Sequence, residues 1–322
     1  MKIGVVGAGA LGSYYGAKLH RDGQEVQLLL RSDYEVVRRK GLRIISDEGN
    51  FHTQPRCART PEEIGGCDLV LVGLKTTANH QFAKLISPLV GEKTAILTLQ
   101  NGLGNEAQLA ELFGAEKILG GRCFVCLNRI EPGIVQHTAH GKIVMGEFRG
   151  WPEPRTHDIA TMFRHAGIPC RVTENLEQAH WEKLVWNIPF NGLGVAGAAG
   201  YDAVIEGKLS GKKISAGLTT NILLGEERWK NLVRELMEEV ITTAQALGLK
   251  VKNSAADQQI ARTQEMGVYK ASTVVDFERG EPLELEAIFL EPLRQAQRMR
   301  VKTPRLEKLC AVLKDLNPSE SV

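Results

Sequence analysis

Within HWEKLVWNIPFN, residues 180–191, Lys183, Asn187 and Asn191 fall at i, i+4 and i+8. On a helix that spacing stacks an ammonium and two amides along one face. An unperturbed lysine, with a pKa of about 10.4, is charged at neutral pH and can protonate an oxygen on which negative charge builds. Amides one and two turns further on can orient a carboxylate or a hydroxyl. Trp181, Trp186 and Phe190 would pack the helix and exclude water. Pro189 removes a backbone donor, and a kink there would tilt Asn191. The plainer reading has Lys183 snorkelling from a buried helix and both asparagines bonded to backbone. Taken alone the stack favours the plainer reading; a cofactor site elsewhere in the chain reverses that preference.

Such a site stands near the N-terminus. Gly7-Ala8-Gly9-Ala10-Leu11-Gly12 follows the apolar run KIGVV at 2–6 and leads into a helical pattern over 11–22. GxGxxG between a strand and a helix lets a pyrophosphate lie against the helix N-terminus and its free N–H groups. A site for NAD places an acidic residue at the end of the second strand, on the ribose hydroxyls. Here EVQLLL (25–30) is followed by Arg31, with Glu25 at the wrong end of the strand and Asp33 past it. An arginine there suits a 2′-phosphate through charge-assisted hydrogen bonds, which favours NADP over NAD. Lys75 in VGLKTT and Asn101-Gly102 in TLQNGLGN follow further strands. Carboxyl ends of strands are where open α/β sheets bind ligands, although a loop charge and an Asn-Gly turn would look the same.

These residues need elements to hold them. Strand runs at 2–6, 25–30, 68–72, 94–98 and 117–120 alternate with amphipathic segments such as 11–22 and 79–90, the pattern of a parallel sheet with helices on both faces. Residues 118–127 read as a buried strand, and 133–146 as a hairpin or two sheet-edge strands. A Pro-rich loop at 150–155 precedes a helix over 156–166 and a strand near 170–172. Beyond about 174 helical patterns take over, at 175–193, 210–248, 254–266, 281–299 and 303–316. The Gly/Ala-rich 191–213 is either a mobile loop or a break between helices.

Together these features resemble the ketopantoate reductase (2-dehydropantoate 2-reductase) family, of the 6-phosphogluconate-dehydrogenase-like fold group, over nearly the whole chain. The resemblance is carried by GAGALG at 7–12, Arg31, Lys75 in GLK, Asn101 in QNGLG, and the Lys183–Asn187–Asn191 spacing. Ser272 in KASTVVDFERGEPLELEA, Glu284 twelve residues on, and VKTPRLEKL at 301–309 extend it. It implies an α/β protein with an N-terminal Rossmann-type NADP-binding domain over 1–174 and a mostly α-helical substrate and catalytic domain over 175–322, with the active site in the cleft between them. The implied reaction is NADPH-dependent reduction of a 2-keto acid, with ketopantoate giving pantoate for pantothenate and coenzyme A biosynthesis. Lys183 corresponds to the general acid, and Asn187, Asn191 and Ser272 to substrate ligands. Asn101 corresponds to a residue touching substrate and cofactor, Glu284 to the acidic partner near the nicotinamide, and Lys75 and Arg31 to contacts at the adenosine end. Cys126 stands roughly where a small residue lines the cofactor. Two departures bear on the substrate: 195–225 is longer than the family's connection, and Glu286 replaces a more usual Asp. The alternatives are an NADP-dependent reductase of a different 2-keto acid and a non-catalytic NADPH-sensing regulator.

Composition narrows the class. The 322 residues carry a net charge of +2 from 40 basic and 38 acidic side chains, with 43% hydrophobic. That leaves no field for nucleic acid or a membrane surface. The six cysteines form one CxxC, Cys123 and Cys126, read as two unrelated buried thiols, and His137 with His140 reads as scattered surface histidines, so no metal site is expected. No apolar run approaches the ~20 residues of a membrane span, and the start lacks a signal-peptide pattern. The chain reads as a reduced, cytoplasmic, soluble enzyme whose partner is a small molecule, its oligomeric state open, a homodimer included.

Overall fold

Five short runs of Val, Ile and Leu, each cut off by glycine or a polar turn, build the central sheet of the first unit. The computed structural model describes residues 1–209 and 214–317. Its strands are β1 (Lys2–Val6), β2 (Glu25–Leu29), β3 (Leu42–Ser46), β4 (Phe51–Thr53), β5 (Arg56–Ala58), β6 (Cys67–Val72), β7 (Val90–Thr98), β8 (Ile118–Glu131), β9 (Ile134–Glu147) and β10 (Cys170–Val172). They form one sheet in the order β4-β3-β9-β8-β7-β6-β1-β2-β5, with β10 beside β9. From β5 to β8 every neighbouring pair is parallel. Numbered along the chain, those six strands lie in the order 3-2-1-4-5-6 of dinucleotide-binding sheets, and the order reverses between β1 and β6.

The sheet is mixed, where the sequence predicts a parallel one. β9 runs antiparallel to β8 along most of its length, and β4 antiparallel to β3. The stretch expected as a hairpin or two edge strands is one long strand, Ile134–Glu147: Gly141 (φ 123) is the extra residue of a bulge opposite Phe124 and Val125, not a turn between two strands. β3, β4 and β5 escape sequence reading because each is only three to five residues long with no clean alternation. The helix expected over 79–90 is instead a 3-10 turn (Thr76–Gln81), a short α-turn (Phe82–Ile86) and a second 3-10 turn (Ser87–Leu89) containing Pro88, which has no N–H to continue the α ladder. His137 is not a surface residue. It is 3% exposed and stacks on Tyr14, with ring nitrogens at 2.8 Å from the Ser46 hydroxyl and 2.9 Å from the His140 carbonyl.

The chain divides into two compact units, Met1–Leu176 and Glu177–Val322. The second unit is helical. Leu176–Ala196 runs as one helix through Pro189, so the Gly/Ala-rich stretch begins as helix, followed by a 3-10 turn and the short helix Tyr201–Glu206. The single helix expected over 210–248 is two, Thr220–Gly225 and Glu227–Ala246, and residues 210–213 lie outside the described chain. Ala255–Glu265 and Pro304–Leu316 lie where helical patterns predict them. The 281–299 pattern opens as a π-turn, Glu286–Leu290, and continues as Glu291–Arg298. Pro292 has no N–H to give Ile288, and the wider turn before it relieves the clash its ring would make there. Glu239 caps the last helix from outside, its carboxylate accepting the N–H groups of Arg305 and Leu306, both at 2.9 Å.

Candidate active site

The three glycines of the first turn have three different reasons to be there. Gly7 has φ 90, and a Cβ on it would lie 2.3 Å from the Leu74 amide, so the turn presses against the exit of β6. A Cβ on Gly12 would lie 2.4 Å from the Gly7 carbonyl, so the helix Ala10–Arg21 packs directly on the turn. Gly9, which precedes that helix, has nothing within 4 Å of its would-be Cβ. Open space at a helix N-terminus, at the point where strand order reverses, is the shape a pyrophosphate needs. Ala8, Ala10 and Leu11 complete the turn, with the Ser13 hydroxyl donating to the Ala8 carbonyl at 2.9 Å.

The charges at the end of β2 are sorted. Asp33 is buried, and its carboxylate accepts from Arg129 at 2.6 Å, the Ser32 hydroxyl at 3.0 Å and the Gly133 amide at 3.4 Å. Glu25 lies at the opposite end of the strand. Arg31 is exposed and makes no ion pair with another described residue. The end of β2 therefore presents the Arg31 cation, with the Asp33 carboxylate already engaged. Lys75, also exposed, precedes the 3-10 turn after β6, and Asn101 follows β7 in a turn with Gly102 (φ 80) and Gly104 (φ 88). Cys126 is buried on β8, beyond Gly120, the last residue of that strand paired with β7. It belongs to the antiparallel hairpin, not to the parallel edge.

The second unit carries the polar stack. Lys183 is half-buried, Asn187 is 5% exposed and Asn191 is 1% exposed, all on the helix Leu176–Ala196. The structure brings Asn191 to Ser272: its Oδ1 accepts the Thr273 N–H at 3.0 Å and the Ser272 hydroxyl at 3.4 Å, at the start of the helix Ser272–Glu278. Asn187 makes no side-chain hydrogen bond to another described residue. With no bond to another described residue, its amide is available to a polar ligand. Trp186 stacks on Phe190 with ring centroids 5.0 Å apart and donates its indole N–H to Thr263 at 2.9 Å, fixing the helix face beside Lys183. Glu284, 4% exposed, precedes the π-turn, where its carbonyl accepts the Ile288 N–H at 3.2 Å. It comes from a connecting segment, not from within a helix.

Two features of the site have no sequence signal. Residues 214–219 are strapped to the long helix and the 3-10 turn after it, with the Leu218 N–H on the Gly194 carbonyl at 2.7 Å and the Ser215 N–H on that of Ala198 at 2.9 Å. Val274 fills the notch between Gly194 and Gly217, where a Cβ on either glycine would meet a Val274 methyl at 2.4 Å. Ser272 is thus held through its neighbours. The second is a run of amides behind Asn101, whose residue types suit many partners. None of the six cysteines forms a disulfide, and among the described residues no three His, Cys, Asp or Glu side chains gather as a metal site. No helix among them is long and apolar enough to cross a membrane.

A 3-2-1-4-5-6 sheet with an open glycine turn, joined in sequence to a helical unit bearing a Lys-Asn-Asn face, defines a dinucleotide-dependent oxidoreductase. The chain belongs to the ketopantoate reductase family. The family model described as ketopantoate reductase PanE/ApbA matches residues 3–150, and that of its C-terminal part matches residues 204–317. A 2-dehydropantoate 2-reductase of Nostoc sp. is 37% identical over 98% of this chain and 95% of its own. The crystal structure of the 2-dehydropantoate 2-reductase from Geobacter metallireducens superposes with a TM-score of 0.89 at 47% identity, covering 98% of this chain and 99% of that one. D-mandelate dehydrogenase, solved with NADH and anilino(oxo)acetate, shares the fold at 19% identity and a TM-score of 0.84, over 98% of both chains. The protein is accordingly an enzyme that reduces a 2-keto acid.

Proposed function

We propose that the protein is an NADPH-dependent 2-dehydropantoate 2-reductase, reducing the ketone of ketopantoate to the hydroxyl of pantoate in pantothenate and coenzyme A biosynthesis. The observation that carries the reading is Asn187, a side chain 5% exposed that makes no hydrogen bond to another described residue, one turn from the Lys183 ammonium. The names of the full-length relatives support the substrate, and the sorted charges at the end of β2 support NADPH.

NADPH, when bound, supplies the hydride. The turn Gly7–Gly12 would hold its pyrophosphate, Arg31 its 2′-phosphate, and Lys75 the adenosine end. Lys183 delivers the proton to the carbonyl oxygen as negative charge builds there. Asn187 and the nitrogen of Asn191 orient the substrate's carboxylate and hydroxyl, with Ser272 beside them. Asn101 touches substrate and cofactor, and Glu284 steadies the nicotinamide end. Six cysteines outside any disulfide suit a reduced, cytoplasmic setting.

Turnover of NADPH with ketopantoate and a panel of other 2-keto acids tests the proposal. The expected result is a kcat/KM for ketopantoate well above that of every other acid. A higher value for another 2-keto acid would replace the substrate and keep the chemistry. No turnover with any of them, alongside tight NADPH binding, would return the protein to a sensing role.

A further inference from the structure

Behind Asn101 lies a directed run of side-chain hydrogen bonds. The Thr98 hydroxyl donates to Gln100 Oε1 at 2.9 Å, and Gln100 Nε2 donates to Asn79 Oδ1 at 2.8 Å. Asn79 Nδ2 donates to Asn105 Oδ1 at 2.9 Å and to Gln108 Oε1 at 3.1 Å. Asn105 Nδ2 closes the run on the Asn101 carbonyl at 2.9 Å. That carbonyl can only accept, so the nitrogen of Asn105 must face it. Its oxygen then faces Asn79, whose own oxygen must face Gln100. The orientations of Asn105 and Asn79 follow from that carbonyl, and flipping either amide breaks bonds on both of its sides.

The run sits where it can matter. Thr98, Gln100 and Asn105 are buried. The turn from Asn101 to Asn105 contains Gly102 and Gly104, both at positive φ, so its backbone has little intrinsic preference for one shape. Asn105 opens the helix Asn105–Phe113 and reaches back across that turn. Asn79 belongs to the 3-10 turn that follows Lys75. One side chain therefore ties the exit of β6 to the exit of β7.

We propose that Asn105 is a positioning residue for Asn101, and that Asn79 couples the Lys75 turn to it. The inference rests on the reading of Asn101 as a ligand of the keto acid. Asn105→Asp keeps the shape and the acceptor for Asn79 but replaces the donor to the Asn101 carbonyl with a second oxygen. The expected result is a fall in kcat/KM for the keto acid of about tenfold to a hundredfold, the scale on which misplaced reacting groups cost rate. The NADPH Kd should stay within about threefold, because the pyrophosphate turn is untouched. A merely structural role would move the melting temperature and leave kcat/KM at the parent value, and that result would overturn the proposal.

Asn101→Ala, measured in parallel, separates the proposal from the reading beneath it. If Asn101→Ala is impaired and Asn105→Asp is not, the positioning role alone fails; if Asn101→Ala behaves as the parent, the reading of Asn101 fails. Asn79→Ala should lose activity in the same direction, and it decides the question should Asn105→Asp not fold. Combined with Asn105→Asp it should cost less than the product of the two single losses. Fully multiplicative losses would overturn the coupling.

Discussion

The side-chain oxygen of Asn191 accepts the backbone N–H of Thr273 at 3.0 Å, so an amide expected to face substrate also caps the helix that carries Ser272. Its nitrogen makes no bond to another described residue. The two ends of one side chain can be tested separately. Asn191→Ala should lower stability by about 1–3 kcal/mol, the cost of a buried donor left unmatched, and raise the keto-acid KM. Asn191→Asp keeps the cap and sets a carboxylate against an anionic substrate, so thermal stability should return while KM stays high. Recovery of both would leave Asn191 a cap and nothing more.

The notch that seats Val274 predicts a coupling between the 214–219 strap and substrate binding. Gly217→Ala would drive a Cβ into Val274 and toward the Gly194 carbonyl, 3.0 Å away. Overpacking of this kind costs about 1–3 kcal/mol. Calorimetry should show that loss, and kinetics a raised keto-acid KM with the NADPH Kd unchanged. An unchanged KM in a destabilised variant would separate the strap from the site.

With Asp33 already held by Arg129, cofactor choice falls to Arg31. Arg31→Ala should weaken NADPH binding by roughly 10- to 150-fold, the equivalent of about 1.5–3 kcal/mol for a charged hydrogen bond, and barely change NADH. Fluorescence titration with both cofactors checks this. Equal losses for the two would make Arg31 a structural residue.

Burial pushes the thiols of Cys170 and Cys310 up from 9.0 to about 12. The folded chain then keeps protons that the unfolded chain releases above about pH 9. Their contribution to stability is complete below that pH and is lost as pH rises toward 12, at up to about 1.4 kcal/mol per pH unit for each thiol. Denaturant melts between pH 8 and about pH 11 should show the decline, and Cys170→Ser/Cys310→Ser should make it shallower, with Cys57, pushed up to about 11, and Tyr15, raised by burial, keeping the rest. A decline of the same slope in the double variant would assign it elsewhere.

What the sequence made legible was whatever depends on neighbours along the chain. GxGxxG, the β1 and β6 strands, and the Lys-Asn-Asn face all follow from spacing within one element. The antiparallel β8–β9 pair was half legible, because a bulge at Gly141 looks like a turn when only residue types are seen. The π-turn before Pro292 keeps enough helical periodicity to read as ordinary helix. Contacts between distant segments were not legible at all. The Glu239 cap on Arg305 and Leu306, the Asn191 cap on Thr273 and the Asn79–Asn105 bond each join residues whose types suit many partners. Burial of His137 belongs with these, since its stacking on Tyr14 crosses from a strand to a helix more than a hundred residues earlier.

The central claim, that Lys183 is the proton donor for NADPH-dependent reduction of ketopantoate, is tested most directly by steady-state kinetics of Lys183→Ala. The account predicts a folded protein that binds NADPH with the parent's Kd and turns over ketopantoate about 10²–10⁴-fold more slowly. A Lys183→Ala protein with the parent's kcat would contradict it.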